Sequence, residues 1–384
     1  MTRQPGTDAP LRILADDLSG ALDAAGPFAV HAGPVVVAWD LARAGGPTRL
    51  ALDLATRERD AHATVARTRA AAHALWAGEA DALAVLKVDS VWRGHPAAAV
   101  AAAAAEGGFD RVVVAPAFPQ QGRVTREGSQ WTAEARGWRE VAPDIPAELR
   151  RHGLDAIRET QAPSGAKAVV CDAIVPEDLD AIVARHARPG TRTLWCGTSG
   201  LARALAARTA SPAGAPGPVA ALPQRVPVLV VVGTDHPVAT AQATMLARDP
   251  AVACRIVDAV ARVTSHGGAS ASQASTVLLH FRTGGTAGRE QVREAIAAAL
   301  RHEVAALPVP GLVVATGGET LRALSEALGA AHLEVAGEFE PGIPIARWSD
   351  GRWAGTPVVS KSGGFGTPDL FVRVVSAVAP PPRS

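Results

Sequence analysis

The chain has 384 residues, of which 48% are hydrophobic and 20% charged. This composition excludes an intrinsically disordered protein, and the length suits about two or three domains. The 38 basic and 37 acidic side chains leave a net charge of +1, so no surplus of positive charge indicates binding to nucleic acid or to an anionic membrane. A small-molecule partner is therefore expected.

The sequence carries no recognisable targeting signal. Its first residues are polar, and its most apolar run, residues 97–105, is about half of the roughly 20 residues that a membrane-spanning helix needs. The three cysteines, Cys171, Cys196 and Cys254, form no C-x-x-C motif, so neither a disulfide framework nor a zinc ribbon is predicted. We expect a cytoplasmic protein without a signal peptide or membrane segment.

The first half of the chain alternates short β-branched runs with alanine-rich stretches, which is typical of a parallel sheet with crossover helices. The predicted strands are 11–14, 35–38, 49–52, 82–87 and 111–115. The predicted helices are 20–31, 59–78 and 96–106, the last opened by a proline in its first turn.

Residues 209–227 are too rich in proline and glycine for a regular element and are predicted to form an interdomain linker. The alternation then resumes, with strands predicted at 228–232, 275–280, 312–315 and 357–360. The fold class predicted is α/β, with two α/β domains with mostly parallel sheets, residues 1–208 and 228–384, and a ligand cleft between them.

Two carboxylates follow the first predicted strand. Asp16 and Asp17 stand between that strand and the next helix, at the carboxyl edge where open α/β sheets bind ligands. Either could act as a general base or bind a substrate hydroxyl. One of them could simply cap the helix, but capping leaves the second carboxylate unexplained, so a functional site is favoured.

A second polar segment follows the strand at 82–87. Strand alternation places Lys87 and Asp89 on one face, with Ser90 and Arg93 in the turn that follows. Two cations and a hydroxyl suit the carboxylate of an anionic substrate, whereas a surface Lys-Asp pair would have little energetic value. Only three of the 38 basic residues are lysines, which favours a specific role for Lys87.

Two further arginines follow predicted strands. Arg123 lies in a proline- and glycine-containing loop predicted over 116–128, where a guanidinium could bind a carboxylate or a phosphate. An ordinary exposed loop is equally compatible with this segment. Arg57 follows the strand at 49–52 and, taken alone, is weaker evidence for a functional site.

Three loops of the second half are predicted anion sites. The first two follow a strand and lead into a helix, where free backbone N–H groups and the helix dipole point at the loop, although a generic tight turn would also explain the second. The third is a glycine-rich loop that contains a lysine. They read Gly-Thr-Asp-His-Pro at 233–237, Thr-Gly-Gly-Glu-Thr at 316–320 and Ser-Lys-Ser-Gly-Gly-Phe-Gly at 360–366. A lysine beside glycines can cradle phosphate. Neither a Walker A loop nor a dinucleotide fingerprint occurs, which disfavours an NAD-dependent oxidoreductase.

Taken in order, these motifs resemble those of the four-carbon acid sugar kinase family, which includes 3-oxo-tetronate 4-kinases and D-threonate or D-erythronate kinases. Residues 15–23 are similar to the family's A-D-D-x-T-G-A-x-D, residues 87–94 to K-x-D-S-T-L-R-G, and residues 116–128 to P-A-x-P-x-x-G-R-x-T-x-x-G. Residues 197–201 are similar to G-S-x-G-L, and 317–320 and 361–366 to the C-terminal nucleotide-binding motifs. The loop at 233–237 departs from the usual Gly-Ser-Cys-Ser-Pro, and Val91-Trp92 replaces Thr-Leu.

The resemblance implies that the first domain binds the sugar acid and the second binds ATP with Mg²⁺. The γ-phosphoryl group would pass to the terminal hydroxyl of threonate, erythronate or 3-oxo-tetronate. Asp16 or Asp17 would be catalytic, and metal ligands are not assigned. The residues implied to bind substrate are Asp16, Arg57, Lys87, Asp89, Ser90, Arg93 and Arg123. Those implied to bind ATP are Thr234, His236, Gly317, Gly318, Glu319, Thr320, Lys361, Gly363, Gly364 and Gly366.

A nucleotide- or acid-binding protein that has lost turnover is the alternative. It is motivated by Asp235 and His236, which stand where relatives carry small neutral side chains. The expected partners are a small-molecule sugar acid and ATP, with no nucleic acid and no membrane, and homo-oligomer formation stays open.

Overall fold

The computed structural model describes residues 10–79, 81–163, 165–209, 222–224, 227–258, 263–268, 274–282 and 289–378. The chain divides into two compact units, Met1–Gly217 and Pro218–Ser384. Most of the predicted linker, residues 209–227, lies outside the described residues.

The first unit contains a parallel sheet flanked by helices. Its strands are β1 (Leu11–Ala15), β2 (Val35–Ala38), β3 (Arg49–Asp53), β4 (Leu83–Lys87), β5 (Arg111–Ala115), β6 (Arg123–Arg126), β7 (Ser129–Glu134), β8 (Gly137–Ala142), β9 (Ala156–Arg158), β10 (Ala168–Val170) and β11 (Thr193–Gly197). Its helices are α1 (Leu18–Ala32), α2 (Ala61–Trp76), α3 (Pro96–Glu106), α4 (Ile145–Arg151), α5 (Pro176–His186) and α6 (Ser199–Thr209). The main sheet has the order β2-β3-β1-β4-β11-β5-β10-β9, and its strand pairs are parallel.

The strands of this sheet are apolar because helices cover its faces. Every residue of β1 is buried, as expected for a parallel strand that has no solvent-facing side. The alanines of α3 let that helix lie close to its neighbours, and Trp76 packs edge-to-face on Phe109 with ring centroids 5.4 Å apart. This rigid layer supports the loops at the carboxyl ends of the strands.

A separate antiparallel sheet, β6-β7-β8, follows β5. The prediction of a loop over 116–128 is therefore wrong for residues 123–126, which pair with β7. Glu127 and Gly128, which join the two strands, both have positive φ, at 51° and 75°, the combination that closes a tight two-residue hairpin. Residues 123–126 read Arg-Val-Thr-Arg and form no apolar run, so the sequence shows no clear strand signal there.

The second unit is also α/β. Its strands are β12 (Val228–Val232), β13 (Val252–Asp258), β14 (Val263–Gly268), β15 (Thr276–Arg282), β16 (Leu312–Thr316), β17 (His332–Glu340), β18 (Ile343–Trp348) and β19 (Pro357–Lys361). Its helices are α7 (Pro237–Leu246), α8 (Arg289–Ala306), α9 (Gly318–Ala327) and α10 (Leu370–Val378). The strand order is β14-β13-β15-β12-β16-β19-β18-β17, and among the described strands of this unit the antiparallel pairs are β13-β14, β17-β18 and β18-β19. The mostly parallel α/β class predicted from the sequence is confirmed.

Strand register brings the predicted loops to common edges. In the first unit Ala15 pairs with both Asp53 and Lys87, so the segments after β1, β3 and β4 leave the sheet side by side. In the second unit Thr316 pairs with Val232 and Lys361, so the three glycine-containing loops also leave the sheet side by side. No helix in the described part of the chain is both long and apolar enough to cross a bilayer.

Candidate functional site

The guanidinium of Arg57 lies among three carboxylates at the edge of the first unit's sheet. Its Nε and Nη2 donate to the two oxygens of Asp16, each at 2.8 Å, and its Nη1 donates to Asp17. Its Nη2 also lies 3.6 Å from Oδ1 of Asp89. One buried cation therefore fixes acidic side chains that follow two different strands.

The two adjacent carboxylates have different surroundings. Asp17 caps α1, since its side chain accepts hydrogen bonds from the Gly20 backbone N–H at 2.6 Å and from the Ser19 hydroxyl at 2.8 Å. The capping alternative thus applies to Asp17 and leaves Asp16 outside the helix. Burial raises the pKa of the Asp16 carboxyl against the effect of Arg57, and the charge of Asp17 raises it further.

Asp89 organises the turn that follows β4. Its Oδ2 accepts hydrogen bonds from the backbone N–H groups of Val91 at 3.1 Å and Arg93 at 3.0 Å, while Nη2 of Arg93 donates to Oδ1 at 2.7 Å. Burial alone would raise the pKa of Asp89, but Arg57 and Arg93 hold it below its usual value. Asp89 therefore stays ionised, and the Arg93 side chain remains 54% exposed.

Lys87 approaches the same carboxylates past a glycine. A Cβ added at Gly20 would lie 3.1 Å from Nζ of Lys87 and 2.7 Å from Oδ1 of Asp17, so a larger residue at position 20 would push these groups apart. The buried Nζ donates to the carbonyl oxygen of Val88 at 3.0 Å, and its charge acts on Asp16.

Gln130 connects two loops of this edge and carries no motif signal in the sequence. Its buried amide donates to the carbonyl oxygens of Ser90 at 2.9 Å and Pro116 at 3.1 Å, and its Oε1 accepts from the Thr125 hydroxyl at 2.8 Å. Arg123 lies near enough to Asp89 for their charges to interact, while burial lowers its pKa. The predicted acid-site residues of the first unit thus occupy one neighbourhood.

The three predicted nucleotide loops of the second unit touch one another. The Gly317 N–H donates to the Lys361 carbonyl oxygen at 3.0 Å, and the Thr320 hydroxyl donates to the Gly233 carbonyl oxygen at 3.3 Å. A Cβ on Gly233 would lie only 2.2 Å from Oγ1 of Thr320. A Cβ on Gly363 would lie 3.2 Å from that of His236, so glycines permit this close association.

The helices that follow two of these loops begin differently. His236 caps α7, with its Nδ1 accepting from the Val238 N–H at 3.3 Å. Gly317, with φ of +95°, precedes α9 without a side-chain cap, which leaves backbone N–H groups that can bind an anion. Asp235 is exposed in the first loop. Glu319 is exposed in the first turn of α9.

Lys361 is the most buried of the three lysines, with 1% of its surface exposed. Its Nζ donates to the Gly363 carbonyl oxygen at 3.1 Å and lies 5.7 Å from the centre of the Phe371 ring. Burial lowers the pKa of this amine to about 7. A nearby phosphate would favour its charged form.

Both units match known protein families. Residues 11–141 and 135–205 match a family model described as a sugar-binding N-terminal domain, and residues 229–371 match a nucleotide-binding C-terminal domain. A D-threonate kinase of Cupriavidus necator is 33% identical over 92% of this chain and 94% of the relative. A D-threonate kinase of Bordetella bronchiseptica is 31% identical over 95% and 96%.

The chain belongs to the four-carbon acid sugar kinase family. A 3-oxo-tetronate kinase of Methylobacterium radiotolerans is 29% identical over 96% of this chain and 99% of the relative. Solved proteins from Salmonella typhimurium and Haemophilus influenzae share the fold, with TM-scores of 0.70 and 0.59, identities of 18% and 17%, and coverage of 95% of this chain and 98% and 99% of theirs. The predicted family and the phosphotransferase class are confirmed.

Lys361 is predicted to lower the stability of the folded protein while contributing to ligand binding. Because the pKa of its amine is about 7 in the folded protein and about 10.4 when unfolded, the unfolded state binds more protons between these values and the charged lysine costs stability. We expect Lys361→Met to raise the free energy of unfolding by several kcal/mol at pH 7, since one pKa unit is worth about 1.4 kcal/mol. The gain should shrink as the pH rises toward 10.

Denaturant unfolding at several pH values measures this effect, and Lys167→Met is the matched control because Lys167 is exposed. The same Lys361 variant is expected to bind ATP about tenfold more weakly and to keep its affinity for the acid. A variant that loses acid binding while retaining ATP would contradict the assignment of Lys361 to the nucleotide.

A second polar cluster of the first unit is formed by Glu159, Cys171, Arg185 and His186, in which Nδ1 of His186 is buried without a hydrogen-bond partner. Arg185 donates to both oxygens of Glu159, at 3.0 and 2.9 Å, and Nε2 of His186 lies 2.6 Å from Oε1. Cys171 lies 3.9 Å from the same imidazole nitrogen, and burial raises the pKa of its thiol. These contacts hold α5 against the residues that follow β9 and β10.

Proposed function

We propose that the protein is an ATP-dependent kinase that transfers the γ-phosphoryl group to the terminal hydroxyl of a four-carbon sugar acid such as threonate, erythronate or 3-oxo-tetronate. The proposal is carried by the cluster of three carboxylates around Arg57, flanked by Lys87 and Arg93, in the unit that matches a sugar-binding domain. Relatives named D-threonate kinase and 3-oxo-tetronate kinase support this substrate class.

The charges of the cluster suit an acid that also carries hydroxyls. Carboxylates accept hydrogen bonds from hydroxyl groups, and a cation must offset the carboxylate of the substrate. The N–H groups of Arg57 are engaged by Asp16 and Asp17, so we assign Arg57 to positioning those groups. Arg93, which is half exposed, is the cation that we assign to the substrate carboxylate, with Lys87 and Arg123 nearby.

Asp16 is our choice for the general base. Asp17 is occupied by the cap of α1, and Asp89 is enclosed by the backbone and guanidinium of Arg93. Asp16 receives side-chain hydrogen bonds from Arg57, and burial raises its pKa, which makes it a better proton acceptor than an ordinary aspartate. A base in this position would accept the proton of the attacking hydroxyl.

The second unit supplies the groups that phosphates require. The uncapped N-terminus of α9, the glycines at 363, 364 and 366, and Lys361 offer backbone N–H groups and a cation. Asp235 and Glu319 carry the oxygen donors that Mg²⁺ prefers, and we assign them to the metal. Bound Mg²⁺ would neutralise charge on the phosphate oxygens.

Release of ADP with Mg²⁺ and a panel of D- and L-threonate, erythronate and 3-oxo-tetronate tests the proposal. We expect ADP only when one of these acids is present, together with a phosphorylated product of matching mass. Acid-dependent ADP would eliminate a binding protein without turnover. Tight binding of ATP with no ADP from any acid would eliminate the kinase and favour that alternative.

A further inference from the structure

Trp92 has a backbone conformation that bulky residues rarely adopt. Its φ is +64°, in the left-handed region that costs an ordinary residue about 1–2 kcal/mol. Residues held in this way persist only where surrounding contacts determine the conformation. Contacts with other parts of the protein must therefore hold Trp92 in this conformation.

Both the backbone and the ring of Trp92 are held. Its N–H donates to the Asp89 carbonyl oxygen at 3.0 Å. The residue is 7% exposed and belongs to a hydrophobic cluster that includes Ile145 and Leu149 of α4. The indole Nε1 donates to Oε2 of Glu148 at 2.8 Å, so the one polar atom of the ring is bonded to the same helix.

Glu148 lies on α4, a helix that is held by hydrogen bonds to residues outside it. The side chain of Asp144 caps α4 by accepting from the Ala147 N–H at 3.0 Å. The Ile145 N–H donates to the carbonyl oxygen of Gly128 at 2.9 Å, which ties the helix to the turn between β6 and β7. The acceptor for the indole is thus fixed by elements outside the 89–93 turn.

The conformation of Trp92 determines where the next residues lie. Arg93 follows directly and pairs with Asp89 through Nε and Nη2, at 3.0 and 2.7 Å. Gly94 then passes so close to the Arg57 backbone that a Cβ would lie 2.8 Å from its carbonyl oxygen. A shift of the Trp92 ring would therefore displace Arg93 relative to the carboxylate cluster.

We propose that the hydrogen bond between Trp92 and Glu148 is a positioning contact that holds Arg93 in place for the carboxylate of the acid substrate. The proposal rests on the function proposed above, because it takes Arg93 as the cation that binds the acid. Trp92 and Glu148 act through Arg93 and need not touch substrate or nucleotide.

Steady-state kinetics of Glu148→Ala, Glu148→Gln and Trp92→Phe test the contact. Loss of one hydrogen bond leads us to expect about a tenfold higher KM for the acid in Glu148→Ala and Trp92→Phe. The kcat and the KM for ATP should stay within about twofold of the wild type. Glu148→Gln keeps an acceptor oxygen without the charge and should restore the KM, and Arg151→Ala, an exposed change on the same helix, is the control.

Three outcomes would overturn the positioning role. The first is an unchanged KM for the acid in Glu148→Ala. The second is a lower kcat accompanied by equal increases in the KM for the acid and the KM for ATP and by a lower Tm, which would indicate a purely structural contact. The third is a Glu148→Gln variant as impaired as Glu148→Ala, which would assign the effect to charge.

A wild-type protein that phosphorylates none of the acids would instead count against the proposed function. Calorimetric titration with the acid then tests the contact separately. Glu148→Ala should weaken acid binding about tenfold, and unchanged binding would overturn the contact on its own.

Discussion

Asp16→Asn is expected to lower kcat for phosphoryl transfer by about 10²–10⁴-fold, the usual contribution of a general base. Asparagine keeps the size of the side chain and one acceptor oxygen but cannot take a proton from the substrate hydroxyl. Because Asp16 lies in the unit that matches the sugar-binding domain, the affinity for ATP should stay within about twofold. Single-turnover kinetics and calorimetric titration with ATP measure the two quantities separately.

Asp17→Asn is the matched control, since it removes the same charge from the same guanidinium. Asparagine remains a good helix cap, so we expect α1 to stay intact and kcat to fall by much less. If Asp17→Asn lost turnover while Asp16→Asn kept it, the roles of the two carboxylates would be reversed.

The raised pKa of Asp16 adds a prediction for the wild type. A base is active when deprotonated, so kcat/KM should fall as the pH decreases through that pKa. Burial places this acidic limb above the ordinary value of 3.8. A limb at or below pH 3.8 would argue against Asp16 as the base.

Arg57→Met is expected to have the largest effect on stability, because it leaves three aspartates at a buried edge without their shared cation. Removing one partner of a buried ion pair costs about 3–5 kcal/mol. We expect a loss of this size in the free energy of unfolding, together with loss of acid phosphorylation. Arg59→Met changes an exposed arginine two residues away and should have little effect on either quantity.

The loss should depend on pH in a definite direction. In the wild type Asp89 has a lowered pKa, so its stabilising contribution is present above the ordinary carboxyl pKa and disappears as the pH falls through the lower folded value. Without Arg57 the pKa values of the buried carboxyls rise, and protonation relieves the unpaired charge. The difference between wild type and Arg57→Met should therefore shrink from pH 7 to about pH 4, and a constant difference would show that Arg57 acts through packing.

Local sequence patterns are enough to predict most of the parallel sheets. The strands 35–38, 111–115 and 228–232 agree with β2, β5 and β12 at both ends, because each is a short β-branched run bounded by polar or turn residues. The carboxyl-edge positions of Asp16, Lys87 and Lys361 also follow from such patterns, since a polar residue at the end of a buried strand reaches that edge by geometry.

Contacts between distant segments could not be predicted in the same way. Arg57 looks unremarkable beside its sequence neighbours, and its importance comes from an Asp16 carboxylate 41 residues earlier. Gln130 and Glu148 each form a hydrogen bond with a residue 40 or more positions away. The hairpin that carries Gln130 depends on a two-residue turn and on pairing with another strand, neither of which gives a strong periodic signal.

The cluster around Arg57 also bears on how the sheet assembles. Residues 16, 57 and 89 follow β1, β3 and β4, which meet as neighbours only when the chain has closed two long connections. A slip of one residue between these strands would reverse their side chains and leave charges unmatched at the sheet edge. The ion cluster can therefore form only in the native register of β1 with β3 and β4, so the groups that we assign to the substrate site also stabilise the alignment of the sheet.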